Sequence, residues 1–333
     1  MLFRSTLATA LRGIGRNAEA AALDEQAQAV QRDFQRLLLS DGVLAGYVQF
    51  TDDGGIRYLL HPRDDTTGIH YSSLGMIHAI LEDLLTPAQA REHLLLIRTH
   101  LSAPDGVRLF DRPMAYHGGR QRLFQRAETA TFFGREIGLM YTHAHLRFAQ
   151  ALAHVGDADG FFHALCQANP IAVASVVPRA TLRQANCYYS SSDAAFVDRY
   201  QASAEYARVA QGTIDLDGGW RVYSSGAGIS LSLIMRRFLG LSREGDVLRV
   251  DPVIPAALDG MRVTMRLAER PIEIEYRIAH PGCGVKQLLL NGRPLPFTAA
   301  PNPHRPGAAL AAMPAVLAQL RADGNILQVH VGL

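Results

Sequence analysis

The chain has 333 residues, 48% of them apolar, and carries 33 basic side chains against 31 acidic ones. That length supports a large core in one or two domains, and so even a charge balance excludes the basic footprint of a nucleic-acid or anionic-membrane binder. The three cysteines, Cys166, Cys187 and Cys283, are far apart and form no CxxC pair, so neither a disulfide framework nor a zinc site is indicated and a reducing cytoplasm is expected.

The opening stretch, MLFRSTLATALRGIGR, suits an amphipathic helix, although its arginines and lack of acid also resemble a transit peptide. Leu23, Ala27, Val30, Phe34, Leu37 and Leu38 recur at helical spacing and predict a second helix, ended by the turn pair Asp41-Gly42. After Tyr47 to Leu60 comes the polar run HPRDDTTGIHYSS, a candidate cleft loop whose Asp64 and Asp65 suit either sugar hydroxyls or ordinary solvation. Helical spacing resumes at Leu74, Ile77, Ile80 and Leu81. Thr86-Pro87-Ala88-Gln89 then reads as a capping box with proline at the first helical position, opening a helix expected to run through Leu101.

An irregular segment from Ala103 to Gln125, rich in Gly, Pro and Arg, is long enough to be functional rather than a simple connection. The next stretch, Glu128 to His154, predicts a core helix, with Ile137, Met140, Ala144, Phe148, Ala151 and Val155 on one face. Seven residues separate Glu136 from His143, which on one helix returns them to the same side about 10 Å apart. The pair suits a cleft edge or a satisfied polar seam between helices. His143 and His145 point to different sides of such a helix, so no metal site is expected. A short helix is expected around Phe161 to Gln167, then mostly irregular chain through residue 227, and a helix from Ile229 to Leu241.

From Asp246 the hydrophobic period changes to two. Leu248/Val250, Met261/Val263/Met265/Leu267, Ile272/Ile274/Tyr276/Ile278 and Leu327/Val329/Val331 alternate with polar residues, and Asn291-Gly292 is a hairpin turn signal. Two domains are therefore expected, residues 1–243 helical and residues 244–333 a small antiparallel β-sandwich. Residues 296–323 carry no clear pattern. Alternating short turns and long polar loops in the helical part predict part of an (α/α)6 toroid, with an active site built from the loops at one end. No apolar run approaches the ~20 residues of a membrane span.

Several segments resemble, in order, the glycoside phosphorylases, the family of cellobiose and chitobiose phosphorylase. Arg135 through Ala144 (REIGLMYTHA) is similar to that family's KENGGxYTHA segment, and Asn169-Pro170-Ile171 to an asparagine-proline-isoleucine that follows it. Asn186-Cys187-Tyr188 through Asp193 resembles EPYxxxxD, Gly218-Gly219-Trp220 through Gly228 resembles the GGWxxYTGxAG phosphate loop, and Leu248 to Pro255 resembles LxxDPxxP. The wording of HPRDDTTGI, PDGVRLFDRP and CYYSSSDAAFVDRY is most similar to the 1,2-β-oligoglucan (sophorose-type) branch.

The resemblance implies a six-hairpin barrel and inverting, reversible phosphorolysis of β-1,2-linked gluco-oligosaccharides to α-glucose 1-phosphate. Inorganic phosphate is then a co-substrate and no cofactor or metal is required. Phosphate replaces the water and base of an inverting hydrolase, so one carboxylic acid suffices. By the match, His143, Ser224, Ser225 and Gly226 bind phosphate, and Glu136, Arg183, Asn186, Tyr188 and Asp193 bind the sugar. This chain departs from the family in having Ser224-Ser225 for Thr-Gly and Asn186 for the glutamate of EPY.

The family's general acid, an aspartate in a tryptophan-containing segment before the histidine helix, has no counterpart here, where Trp220 is the lone tryptophan. The resemblance therefore implies the C-terminal half of a barrel plus the last sandwich, with no catalytic residue of its own, inactive alone and partnered by a missing N-terminal half or a second copy. An inverting hydrolase and a non-catalytic carbohydrate-binding remnant are the competing expectations.

Overall fold

The structure, a computed structural model, describes residues 2–114, 140–171, 173–219 and 224–332. It divides into two compact units, neither continuous in sequence: residues 1–144, 177–181 and 191–219 form the first, and residues 145–176, 182–190 and 220–333 the second.

The first unit begins with helices α1 (Leu2–Gly13) and α2 (Asn17–Leu37), which close on each other through Ala8, Leu11 and Ala20 with Leu23 against them. The predicted stop after α2 is present, Asp41 and Gly42 both having positive φ in the turn between strands β1 (Leu39–Ser40) and β2 (Val43–Leu44). A hairpin of β3 (Tyr47–Phe50) and β4 (Ile56–Leu59) follows. Helix α3 (Ser73–Leu81) buries Met76, Ile77, Ala79 and Ile80. Helix α4 (Pro87–Leu96) opens on the predicted capping box: Thr86 accepts from the Gln89 amide and the Gln89 side chain accepts from the Thr86 amide. These bonds satisfy two of the amides a helix start otherwise leaves without partners. A π-helical turn, Ile97–Leu101, completes the expected length.

Strands β5 (Ser102–Ala103) and β6 (Gly106–Val107) form a further hairpin. Beyond it, β7 (Met140–Tyr141), β8 (Ser191–Ala194) and β9 (Leu216–Gly218) make a three-stranded antiparallel sheet. Helix α5 (Thr142–Val155) starts only after β7. The single helix predicted across residues 128–154 therefore does not exist at its centre, and the argument that put Glu136 and His143 on one helical stripe fails. The apolar spacing misled because Met140 is buried by a strand pair just as well as by a helix face. Among the described residues this unit also holds α8 (Arg199–Glu205) and α9 (Ala207–Ala210), which follow the second unit's α6 (Ala158–Ala168) and α7 (Val173–Val176) in sequence.

In the second unit, α10 (Ser224–Leu233) runs into a π-helical turn, Ile234–Phe238. One sheet has the order β10 (Leu241–Glu244), β11 (Val247–Val250), β17 (Ala309–Ala312), β16 (Thr298–Ala299). The other has the order β12 (Arg262–Leu267), β13 (Arg270–Ile278), β18 (Asn325–Val331), β14 (Val285–Leu290), β15 (Arg293–Pro294). The two sheets share one core in which Leu248, Val250 and Ala311 meet Ile272, Ile274, Tyr276, Leu288 and Val329. Burying each such Leu, Ile or Val contributes about 1.5–3 kcal/mol of transfer free energy. Tyr276 spends its hydroxyl on the Leu239 carbonyl at 2.7 Å, so its burial leaves no polar atom unmatched. Asn291 and Gly292, both at positive φ, join β14 to β15 as the hairpin signal predicts. The unpatterned residues 296–323 supply β16, β17 and α11 (Met313–Gln319).

The expected partial (α/α)6 toroid with an antiparallel sandwich is not what these residues build. In the first unit the supposed loop connections carry four small antiparallel sheets, whose short strands satisfy one another's backbone groups where the toroid requires only coil. In the second unit β13 and β18 run parallel, with Ile272 opposite Asn325 and Ile278 opposite Val331, so the larger sheet is mixed. Strand periodicity reports which face is buried and is silent on strand direction.

Candidate functional site

Among the residues singled out from sequence, Glu136 lies outside the described residues, as does Trp220. The others fall into two groups, one in each unit.

In the first unit the β7–β8 register sets Met140 opposite Ser192 and Tyr141 opposite Ser191. This brings the start of α5, with His143 in its first turn, beside the strand that carries Asp193. His143 is half-buried and its ring lies parallel to that of Tyr141, with centroids 6.4 Å apart. Asp193 is also half-buried, and its carboxylate accepts a hydrogen bond from the Ser191 hydroxyl at 2.5 Å. An imidazole and a carboxylate thus occupy adjoining elements, each held by a neighbour two residues away.

The run at His61 has a structural centre. Asp64, only 4% exposed, accepts from the amides of Leu60, Thr66 and Thr67, each at 2.8 Å, and from the Thr67 hydroxyl at 2.5 Å. Burial raises its pKa, but the hydrogen bonds from Thr67, Leu60 and Thr66 outweigh that and hold the carboxyl below its ordinary range. Its acceptor capacity is spent on its own loop, leaving none for a sugar. Downstream, Asp111 plays a similar part by accepting from the amides of His70 and Tyr71 at 3.0 and 3.1 Å, while Tyr71 stacks on His100 with centroids 4.0 Å apart.

In the second unit α10 begins at Ser224, five residues before the start predicted at Ile229. Ser225 and Gly226 therefore lie in a helical first turn, where backbone amides lack intrahelical partners and the helix dipole is positive, an arrangement suited to an oxyanion. Gly226 is buried and Ser225 exposed. Tyr188 reaches the same helix, its hydroxyl 2.8 Å from that of Ser230. Ser225 and Gly226 thus share one helix, and Tyr188 reaches that helix from the 182–190 loop. Arg183 places its guanidinium 5.5 Å from the Tyr189 ring centroid, and the Tyr189 hydroxyl accepts from the Gln184 amide at 2.9 Å. Asn186, at the tip of this loop, is exposed.

Sequence reasoning missed Arg147, Gln150, Arg236, Arg237 and Arg249, which line one cavity in this unit. The available signal was modest: Arg147 and Gln150 share a helix face, and Arg236-Arg237 is a basic pair at a helix end.

No model of a known protein family matches the sequence. The chain is 40% identical over 283 residues, 85% of its length, to a 1,2-beta-oligoglucan phosphorylase of Listeria innocua. This chain is related to the glycoside phosphorylases. It spans only 26% of that phosphorylase relative, whose remaining length has no counterpart here. Among solved structures, a chain titled "Sialidase" superposes with a TM-score of 0.52 at 14% identity, covering 92% of this chain and 25% of that one. That likeness concerns the fold alone. No helix among the described residues is long and apolar enough to cross a membrane.

Proposed function

We propose that this chain is part of a phosphorylase acting on β-1,2-linked gluco-oligosaccharides in the cytoplasm. The similarity to the Listeria innocua phosphorylase is the observation that carries this proposal. In the reaction, a phosphate oxygen attacks the anomeric carbon on the face opposite the glycosidic oxygen. The glycosidic C–O bond breaks, the leaving oxygen takes a proton from a carboxylic acid, and α-glucose 1-phosphate and a shortened glucan result. The donor of that proton lies outside the residues assigned here.

Ser225 and the first-turn amides of α10 are suited to hold phosphate oxygens, since they offer donors at the positive end of a ten-residue helix. Tyr188 fits the role of positioning the 182–190 loop against that helix, leaving Arg183 and Asn186 to meet sugar hydroxyls.

Incubation with sophorotriose and inorganic phosphate, alone and with the unmatched portion of the phosphorylase relative, tests the proposal. Glucose 1-phosphate is expected only from the mixture and only with phosphate present. Cleavage that proceeds equally in phosphate-free buffer removes phosphorolysis. A chain that shows no saturation transfer to sophorotriose with phosphate, and that leaves the mixture inactive, removes the family activity altogether.

A further inference from the structure

A cavity of about 390 Å³ lies wholly within the second unit, and Arg147, Gln150, Ser232, Arg236, Arg237 and Arg249 line it. Four guanidinium groups face one lining carboxylate, that of Glu244. Behind the wall, Asp251 pairs with Arg237 at 3.0 Å and Arg249 at 3.4 Å but shares its charge with Arg305 at 2.7 Å. Counting Asp251 and Arg305 leaves the positive excess at three.

Among the described residues, two of these cations have no acid of their own. Arg147 donates to the neutral Gln150 amide oxygen at 2.7 Å. Arg236 is exposed and makes no ion pair among the described residues. Burial lowers the pKa of Arg237, Asp251 opposes that shift, and the like charges of Arg249 and Arg305 add to it. Like charges gathered in a concave wall repel one another through low-dielectric protein, and an anion entering the cavity removes that repulsion.

We propose that this cavity is a binding site for a phosphomonoester of a small polyol, of the size of a hexose phosphate. A phosphomonoester brings close to two negative charges and three acceptor oxygens, which match guanidinium forks. Gln150 and Ser232 then supply neutral partners for the polyol hydroxyls. The volume exceeds what a bare phosphate fills and falls within the range of small-molecule sites. Gly228 forms part of the wall, and a Cβ built on it meets nothing within 4 Å. Neither Ser225 nor Gly226 lines the site, although Gly228, the last residue of the segment that resembles the phosphate loop, does.

Calorimetry on the whole chain with glucose 6-phosphate, inorganic phosphate, citrate and glucose tests the proposal. Glucose 6-phosphate is expected to bind most tightly, and its affinity to fall as salt rises. Arg147→Ala with Arg236→Ala is expected to weaken it by about tenfold or more through loss of two charge-assisted partners. Gly228→Leu, which fills the cavity while leaving every arginine in place, is expected to abolish binding, and circular dichroism checks that each variant stays folded. Three results overturn the site: no binding of either phosphate compound, citrate bound as tightly as glucose 6-phosphate, or unchanged binding in folded Gly228→Leu. Should the double variant unfold, Arg236→Gln together with Gly228→Leu decides the matter.

Discussion

Arg305 and Arg236 carry the same group in the same unit under opposite conditions. Arg305 is 9% exposed and fully engaged: it reaches both oxygens of Asp251 at 2.7 and 3.2 Å and donates through Nε to the Ala153 carbonyl at 3.1 Å. Arg236 lines an open cavity and meets no acid among the described residues. Arg237 and Arg249 stand between them, facing the cavity while leaning on Asp251. A charge whose hydrogen bonds are all made by its own chain is committed to structure, and a charge facing open space remains available to a ligand. The difference therefore separates architecture from function without reference to residue type.

The sharpest way to break this contrast is Asp251→Ala. It strands Arg305 as a buried, uncompensated cation and is expected to cost roughly 3–5 kcal/mol in denaturant unfolding. A loss below about 1 kcal/mol, the value typical of an exposed pair, means that the cluster is no more committed than the cavity wall. Asp64→Asn probes the same principle in the first unit. It replaces one of the two acceptor oxygens around which the 61–67 loop closes with an NH2 donor that faces other donors, and is expected to cost about 1–3 kcal/mol at neutral pH.

That second effect has a defined pH dependence. The folded pKa of Asp64 is depressed, so its contribution is present above the ordinary carboxylate range and disappears as pH falls through the folded value. The gap between parent and Asp64→Asn in acid titrations should close accordingly. His93 acts earlier in the same direction. Its Nε2 accepts from the Leu44 amide at 3.1 Å, and burial lowers its pKa, Gln89 and Glu92 opposing, so the folded chain keeps it neutral while the unfolded chain protonates it. Stability should therefore begin to decline as pH drops below about 6.5, and His93→Gln should flatten that part of the curve if it preserves the acceptor.

Smaller effects sharpen the comparison. Tyr188→Phe deletes one hydroxyl contact with Ser230 and is expected to cost about 0.5–1.5 kcal/mol. Arg236→Ala should change stability by no more than about 0.5 kcal/mol, since the side chain is exposed and makes no ion pair among the described residues. A large loss there returns the cavity arginines to the structural class.

Legibility from sequence followed how local each determinant was. The Thr86 capping box, the Asp41-Gly42 and Asn291-Gly292 turns and the alternating strands from Leu248 onward were readable because each depends on residues within a few positions. The start of α5 was not, since Met140 and Tyr141 satisfy a helical spacing while their backbones pair with Ser192 and Ser191 from a distant segment. Asp64 suited either sugar hydroxyls or solvation from sequence, and it is the bonds to Leu60, Thr66 and Thr67 that commit it to its own loop. The cavity was invisible in one dimension because α5, α10 and β11 each contribute to its wall. Resemblance supplied what spacing lacked at Ser225 and Tyr188, and the helix start at Ser224 then gave the serine a physical context.

The position of β18 governs when the larger sheet can exist. This strand, the last in sequence, sits between β13 and β14 and pairs with both. During synthesis those two neighbours emerge first and wait with unpaired backbone edges until Asn325–Val331 clears the ribosome. Closing the gap with β13 demands a contact across some fifty residues, a slow step by the usual relation between sequence separation and folding rate. A nascent chain halted before Asn325 therefore exposes two sticky rims at once, and chaperone capture or precipitation is its expected fate.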